Sequence, residues 1–263
     1  MNVRPTSMAM LLLLGNFLLN GCTKNPPTPP PTSYEKRLVK IEESATDITT
    51  LEYHLDGKLK KLTTTYEFGS GPEVSTFEYQ YGNTDKVQTA TISTGNSFKY
   101  VYTGSDVRIE FRDANNTTIS YRTLHFQGEK LVTVTGYGFN GSNAILVGRI
   151  DYDYYADGNI KSETQYYTQG GVDLVLYEKR VYTEYDDKKN PFRLPALSGL
   201  ILFPYQSPNN PRKQLVYDRE DNLTSSIEYS YTYDERGYVK QCIVSEADMG
   251  YPPESYTLKF IYE

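Results

Sequence analysis

The chain has 263 residues, 27 Lys and Arg against 33 Asp and Glu, a formal charge of −6, and 26 Tyr without a single Trp. That acidic balance argues against nucleic-acid binding, which needs a basic footprint, and two Cys with two His leave little material for soft metal sites. Near-average Gly and Pro exclude collagen and bulk disorder, and the length suits one all-β domain or two smaller ones.

Taken in chain order, the first element is an address. Met8 to Leu19 is apolar apart from Gly15 and Asn16, with Arg4 before it. The stretch is too short for a spanning helix, which needs roughly 20 residues, and has the size of a signal-peptide core. Leu19-Asn20-Gly21-Cys22 follows and resembles the lipobox of bacterial lipoproteins. The resemblance implies cleavage after Gly21 and acylation of Cys22, so residues 1–21 form the signal peptide and Cys22 is the lipid-attachment site. Thr23 to Ser33 then carries Pro26, Pro27, Pro29, Pro30 and Pro31. Such a run favours polyproline II at roughly 3 Å per residue, a stiff tether over 22–33. The acidic export signal that sends related lipoproteins to the cell surface is missing from Thr23-Lys24-Asn25. This favours the periplasmic face of the outer membrane.

Residues 34–263 are expected to form a single β-repeat domain. Leu51, Tyr53 and Leu55 are read as inward-facing, against His54 and Asp56. Phe77, Tyr79 and Tyr81 alternate with Glu78 and Gln80, and Val107, Ile109 and Phe111 alternate with Arg108 and Glu110. In the clearest case Leu223 to Tyr233 places Ile227, Tyr229 and Tyr231 against Glu228, Ser230 and Thr232. One apolar and one polar face per strand is the pattern of an antiparallel sheet. Asp56-Gly57, Asp157-Gly158-Asn159 and Asp234-Glu235-Arg236-Gly237 supply turns between such runs. The fold class is therefore all-β: a long antiparallel meander of repeated β-hairpins. A curled sheet, an open or closed barrel and a sandwich all satisfy it.

The hairpins at 51–66, 150–167 and 229–244 share a Tyr-bearing strand, a Gly turn and an aliphatic start to the next strand. They resemble the YD repeats of Rhs-type proteins. Tyr185-Asp186-Asp187-Lys188-Lys189-Asn190-Pro191-Phe192, Ser207-Pro208-Asn209-Asn210 and Tyr231 to Tyr238 further resemble segments of a family of Bacteroidota envelope lipoproteins. That resemblance implies an all-β fold and an envelope location, and brings no catalytic residues. Between those motifs, Asn190 to Pro211 is both proline-rich and apolar, and reads as a plug over an open end of the sheet or a lid facing a ligand.

Nothing in the sequence assembles a catalytic constellation. His54 and His125 lie on distant strands with no zinc spacing. Asp151, Asp153 and Asp157 miss the calcium-loop pattern, since Tyr155 stands at the fifth position and Gly158 at the eighth. Cys242 is read as facing away from Val239 and Ile243, without an intrachain partner once Cys22 is acylated. No metal and no cofactor is expected. The expected function is that of a non-catalytic, lipid-anchored envelope scaffold or binding module, its partners being the membrane through the lipid and an envelope protein or polysaccharide. The alternatives are a glycan-binding lipoprotein of an uptake system and a lipid or lipoprotein carrier.

Overall fold

The computed structural model describes residues 36–68, 71–83, 86–169, 173–192 and 207–263. The expected signal peptide, Cys22 and the proline tether lie outside the described residues, as do residues 193–206 of the proline-rich segment.

Among the described residues sixteen strands follow one another. The first eight are β1 (Leu38–Glu42), β2 (Ile48–Tyr53), β3 (Leu59–Phe68), β4 (Gly71–Tyr81), β5 (Val87–Ile92), β6 (Ser97–Thr103), β7 (Asp106–Arg112) and β8 (Thr118–Gln127). The rest are β9 (Lys130–Asn140), β10 (Asn143–Tyr154), β11 (Ile160–Gln169), β12 (Asp173–Lys189), β13 (Asn209–Asp218), β14 (Leu223–Tyr233), β15 (Val239–Asp248) and β16 (Glu254–Tyr262). Every strand pairs antiparallel with its chain neighbours, and β1 pairs with β16 from Leu38–Tyr262 to Glu42–Lys259. The meander is thus neither an open sheet nor a sandwich. It is a closed barrel, and closure removes the two edges that an open sheet would expose.

One hairpin design recurs around it. At the turn, an inward aromatic residue pairs with an inward aliphatic one while the next pair skips a residue: Tyr53–Leu59, Tyr81–Val87, Tyr154–Ile160 and Tyr233–Val239. In three of these four hairpins a turn glycine takes a positive φ, +87° at Gly57, +91° at Gly158 and +83° at Gly237. Asn116 and Asp221 do the same at the opposite end, with φ of 65° and 63°, as the short polar side chains that best tolerate this region.

Tyrosine hydroxyls then tie successive hairpins together. Tyr53 donates to the Leu38 carbonyl (2.7 Å), Tyr81 to Leu59 (2.9 Å), Tyr102 to Val87 (2.8 Å), Tyr154 to Leu131 (2.6 Å) and Tyr185 to Ile160 (2.7 Å). Each acceptor is a buried aliphatic residue at or near the start of its strand. The ring packs as a large apolar body while its hydroxyl satisfies a carbonyl, each bond contributing about 1 kcal/mol. Abundant tyrosine is therefore a structural requirement of the repeat.

Three expectations are corrected by the turns and bulges. Leu55 lies at a turn tip and is fully exposed. Val239 and Cys242 face inward together, because the pairs Tyr233–Val239 and Thr232–Gln241 skip Lys240, whereas Ile243 is exposed. Pro211 lies inside β13, at an irregular stretch of its pairing with β12, where its missing N–H is tolerated. Burial pushes the Cys242 thiol up to about 11. Native protein should accordingly show no reaction of Cys242 with a thiol reagent at pH 8 until denaturant is added. Rapid native labelling would contradict this packing.

Candidate functional site

The two ends of the barrel differ. One rim carries the β2–β3, β4–β5, β10–β11 and β14–β15 turns, together with Arg37 and Glu263, which exchange backbone hydrogen bonds. Behind it the interior is packed: Leu59, Val87, Leu131, Ile160, Val239 and Phe260 are all buried. At the opposite rim, inward side chains meet solvent. Tyr256 pairs with core residue Val244, and Tyr167 with Gly148, yet both are exposed. Among the described residues the barrel is a cup with a solid base.

A polar cluster lies between base and mouth. Pairing of Tyr152 with Glu163 and of Glu163 with Arg180 directs these side chains inward, as does the Tyr182–Gln214 pair. Glu163 is fully buried; Gln165 Nε2 donates to its Oε1 (2.5 Å), and its Oε2 has no hydrogen-bond partner among the described residues. Burial pushes this carboxyl up to about 7, against the opposing pull of the Arg180 charge. Arg180 itself donates from Nε to Glu178 Oε1 (2.5 Å).

Beside the cluster is a cavity of about 440 Å³ whose lining includes Arg122, Gly136, Gly148, Gln165, Tyr167 and Tyr177. Arg122 pairs with core residue Ile109 on one side and with Gly136 on the other, which fixes its inward direction. Tyr167 and Tyr177 meet edge-to-face, their ring centroids 6.1 Å apart. The size is that of a small-molecule site.

A second arrangement locks the packed rim. Asp186 accepts from the Lys188 amide (2.9 Å), the Asn210 amide (3.1 Å), Asn210 Nδ2 (3.2 Å to either oxygen) and the Tyr233 hydroxyl. Asn209 and Asn159 exchange bonds, Asn159 Oδ1 accepting from the Asn209 amide (3.1 Å). Ser207 Oγ accepts from the Ile160 amide (3.0 Å). The two motifs at 185–192 and 207–210 thus form one clasp joining β11, β12, β13 and β14.

The other singled-out residues do not converge. His54 is exposed at a turn. His125 is exposed on the outer wall, its Nδ1 2.6 Å from Asp106 Oδ1. Asp151 bonds Arg149 (2.8 Å), Asp153 accepts from Ser162 (3.1 Å) and Asp157 caps its turn through the Asn159 amide (3.0 Å). No group of three metal-ligating side chains forms among the described residues. Arg122, Glu163, Gln165 and Arg180 were not singled out from the sequence. Arg122 had a signal, since it shares the parity of Leu124 and Phe126; Glu163 had none, because the bulge at Lys161 reverses the parity set by Ile160.

The fold has relatives among solved structures. A porin-like protein from Bacteroides uniformis superposes with a TM-score of 0.58 at 16% identity, covering 88% of this chain and 100% of that one. A porin-like protein from Bacteroides vulgatus gives 0.42 at 13% identity, over 86% of this chain and 99% of the other. The TcdB2–TccC3 protein gives 0.20 at 11% identity, over 86% of this chain and 16% of its own length. No family model matches the chain, and no curated protein does either. The first likeness establishes the barrel fold in common.

The wall itself does not suit lipid. Glu78, Lys99, Arg108, Glu110, Glu228 and Lys259 sit within strands, each on the face opposite a core residue. A membrane barrel reverses this order, with an apolar band outside, and a charge at the bilayer midplane costs about 2–4 kcal/mol. With apolar side chains inside and charges outside, this wall is built to meet water.

Proposed function

We propose that the protein is a non-catalytic, lipid-anchored binding module of the bacterial cell envelope that takes its ligand into the open half of the barrel. The observation carrying this reading is the cavity of about 440 Å³ behind a wet mouth, above a packed base. A packed base is no use to a channel and suits a receptacle. Anchoring follows from the lipobox-like Leu19-Asn20-Gly21-Cys22 and the tether over 22–33. The tether would join the barrel at Lys36, whose Nζ reaches Asp234 (2.7 Å) on the packed rim. The bacterial outer membrane, on its periplasmic face, is the location this favours.

Anchoring is tested with Cys22→Ser, which should move the protein from the membrane to the soluble fraction; retention in the membrane would contradict it. The ligand site is tested by retention of the purified full-length protein on a panel of immobilised oligosaccharides. Tyr167→Ala and Tyr177→Ala should reduce retention, and unchanged retention would place the ligand elsewhere.

A glycan ligand is the second reading, and the Tyr167–Tyr177 pair lining the cavity favours it. A further aromatic surface lies on the outer face, where Tyr121 and Tyr137 stack across β8 and β9 with centroids 4.6 Å apart and the Arg108 guanidinium lies 3.9 Å over Tyr121. An acyl chain is the poorer guest, since Arg122 and Gln165 line the cavity.

A further inference from the structure

Arg122 is anomalous among the inward-facing groups. The Arg180 guanidinium is held by Glu178, whereas Arg122 makes no hydrogen bond or ion pair among the described residues. Not one acidic side chain lines the cavity it faces, in a chain whose acids outnumber its bases. The only other cation of the lining, Arg149, is already bound to Asp151. Arg122 is exposed to solvent at the cavity, where its unpaired guanidinium is open to an anion, and its planar fork matches a carboxylate through two parallel hydrogen bonds.

Three further features describe what carries that carboxylate. Gly136 and Gly148 face each other across β9 and β10, and a glycine inside a strand marks close approach by another group. They are there for different reasons. A Cβ on Gly148 would meet the Tyr166 carbonyl oxygen at 2.6 Å, so the backbone forbids it. One on Gly136 would meet nothing nearer than 3.8 Å, so the fold tolerates a side chain where the cavity needs space. Tyr167 and Tyr177 offer aromatic surface for a ring, and sugar rings stack on such faces. Gln165, with its amide nitrogen committed to Glu163, leaves its carbonyl oxygen to accept from a hydroxyl.

Resting on the binding-module reading above, we infer that the cavity holds a carboxylated sugar unit, its carboxylate on Arg122 and its ring against Tyr167 and Tyr177. Titration calorimetry of the full-length protein in mild detergent tests this with three probes: digalacturonic acid, a neutral galactose disaccharide and inorganic phosphate. Digalacturonic acid should bind, with affinity falling roughly tenfold or more in Arg122→Gln and partly recovered in Arg122→Lys. Gly136→Val should abolish binding while leaving the β-sheet circular dichroism and the melting transition intact. Equal binding of the neutral disaccharide, indifferent to Arg122→Gln but blocked by Gly136→Val, would overturn the carboxylate and leave the binding module standing. Equal binding of phosphate would overturn the sugar. Binding by none of the three, or binding that Gly136→Val does not touch, would overturn this cavity as the site.

Discussion

Asp186→Ala is expected to destabilise the protein by about 3–5 kcal/mol, because the lost carboxylate leaves several donors unsatisfied at once. Those donors are the Lys188 and Asn210 amides, Asn210 Nδ2 and the Tyr233 hydroxyl. Asn210 is buried, so water does not readily replace the acceptor. The clasp also stands where the β12–β13 ladder is weakest. Pairing there slips between Tyr182 and Glu184, between Glu184 and Tyr185, and again before Lys189. Side-chain bonds substitute for the backbone bonds that the bulges and Pro211 remove. Asp186→Asn keeps one acceptor oxygen and turns an amide toward groups that already donate, so a smaller loss of about 1–2 kcal/mol is expected. Urea unfolding read as a shift in midpoint at unchanged slope measures both. A loss below 1 kcal/mol in Asp186→Ala would show that the clasp is ornamental.

How far the sequence could be read depended on parity. Phe77-Tyr79-Tyr81 and Val107-Ile109-Phe111 face inward as alternation requires, because no bulge interrupts them. Past the Gly57, Gly158 and Gly237 turns one skipped residue inverts the pattern, which is why Cys242 shares the inward face with Val239 and why Glu163 points inward, whereas Leu55 sits in a turn, where alternation no longer applies. Closure was illegible for another reason. It depends on Leu38 meeting Tyr262, a pairing of maximal sequence separation that no local signal encodes. The motifs at 185–192 and 207–210 were visible as unusual words, while their meaning lay in contacts such as Asn210 to Asp186. For the cup, Arg122 alone was legible in principle.

The barrel fold shared with a porin-like protein and the water-facing wall are reconciled by the same alternation. A closed antiparallel barrel fixes only that successive side chains point to opposite sides. Which side is apolar is a separate choice of residues. Here tyrosines and aliphatics fill the inside of the packed half, and Glu78, Lys99 and Lys259 cover the outside. Among the described residues, interior room is found near the open rim, where Gly136 and Gly148 replace bulky residues. The site is therefore a local relaxation of the packing that stabilises the rest.

Glu163→Gln should raise the stability at pH 8 by about 2 kcal/mol, an increase in melting temperature of about 4–8 °C for a domain of this size. Burial raises the Glu163 carboxyl to about 7 in the folded protein, from 4.5 when exposed. Between those values the folded state holds a proton that the unfolded state has released, so wild-type stability falls as pH rises from about 4.5 to 7. Above pH 7 the buried carboxylate is charged and the full penalty applies. The Gln variant has no proton to lose, and its stability should run flat across that window. Asp234 acts in the opposite sense and elsewhere on the scale: its bond to Lys36 holds it down to about 2, so its contribution disappears only as pH falls below 4. Melting curves from pH 5 to 8 separate the two groups, and a wild-type protein with no slope there would refute the assignment to Glu163. The substitution should carry a functional cost as well. Glu163 Oε1 holds the Gln165 amide in place, so the variant is expected to gain stability while binding a cavity ligand more weakly, the trade-off that a buried charge kept for a site predicts.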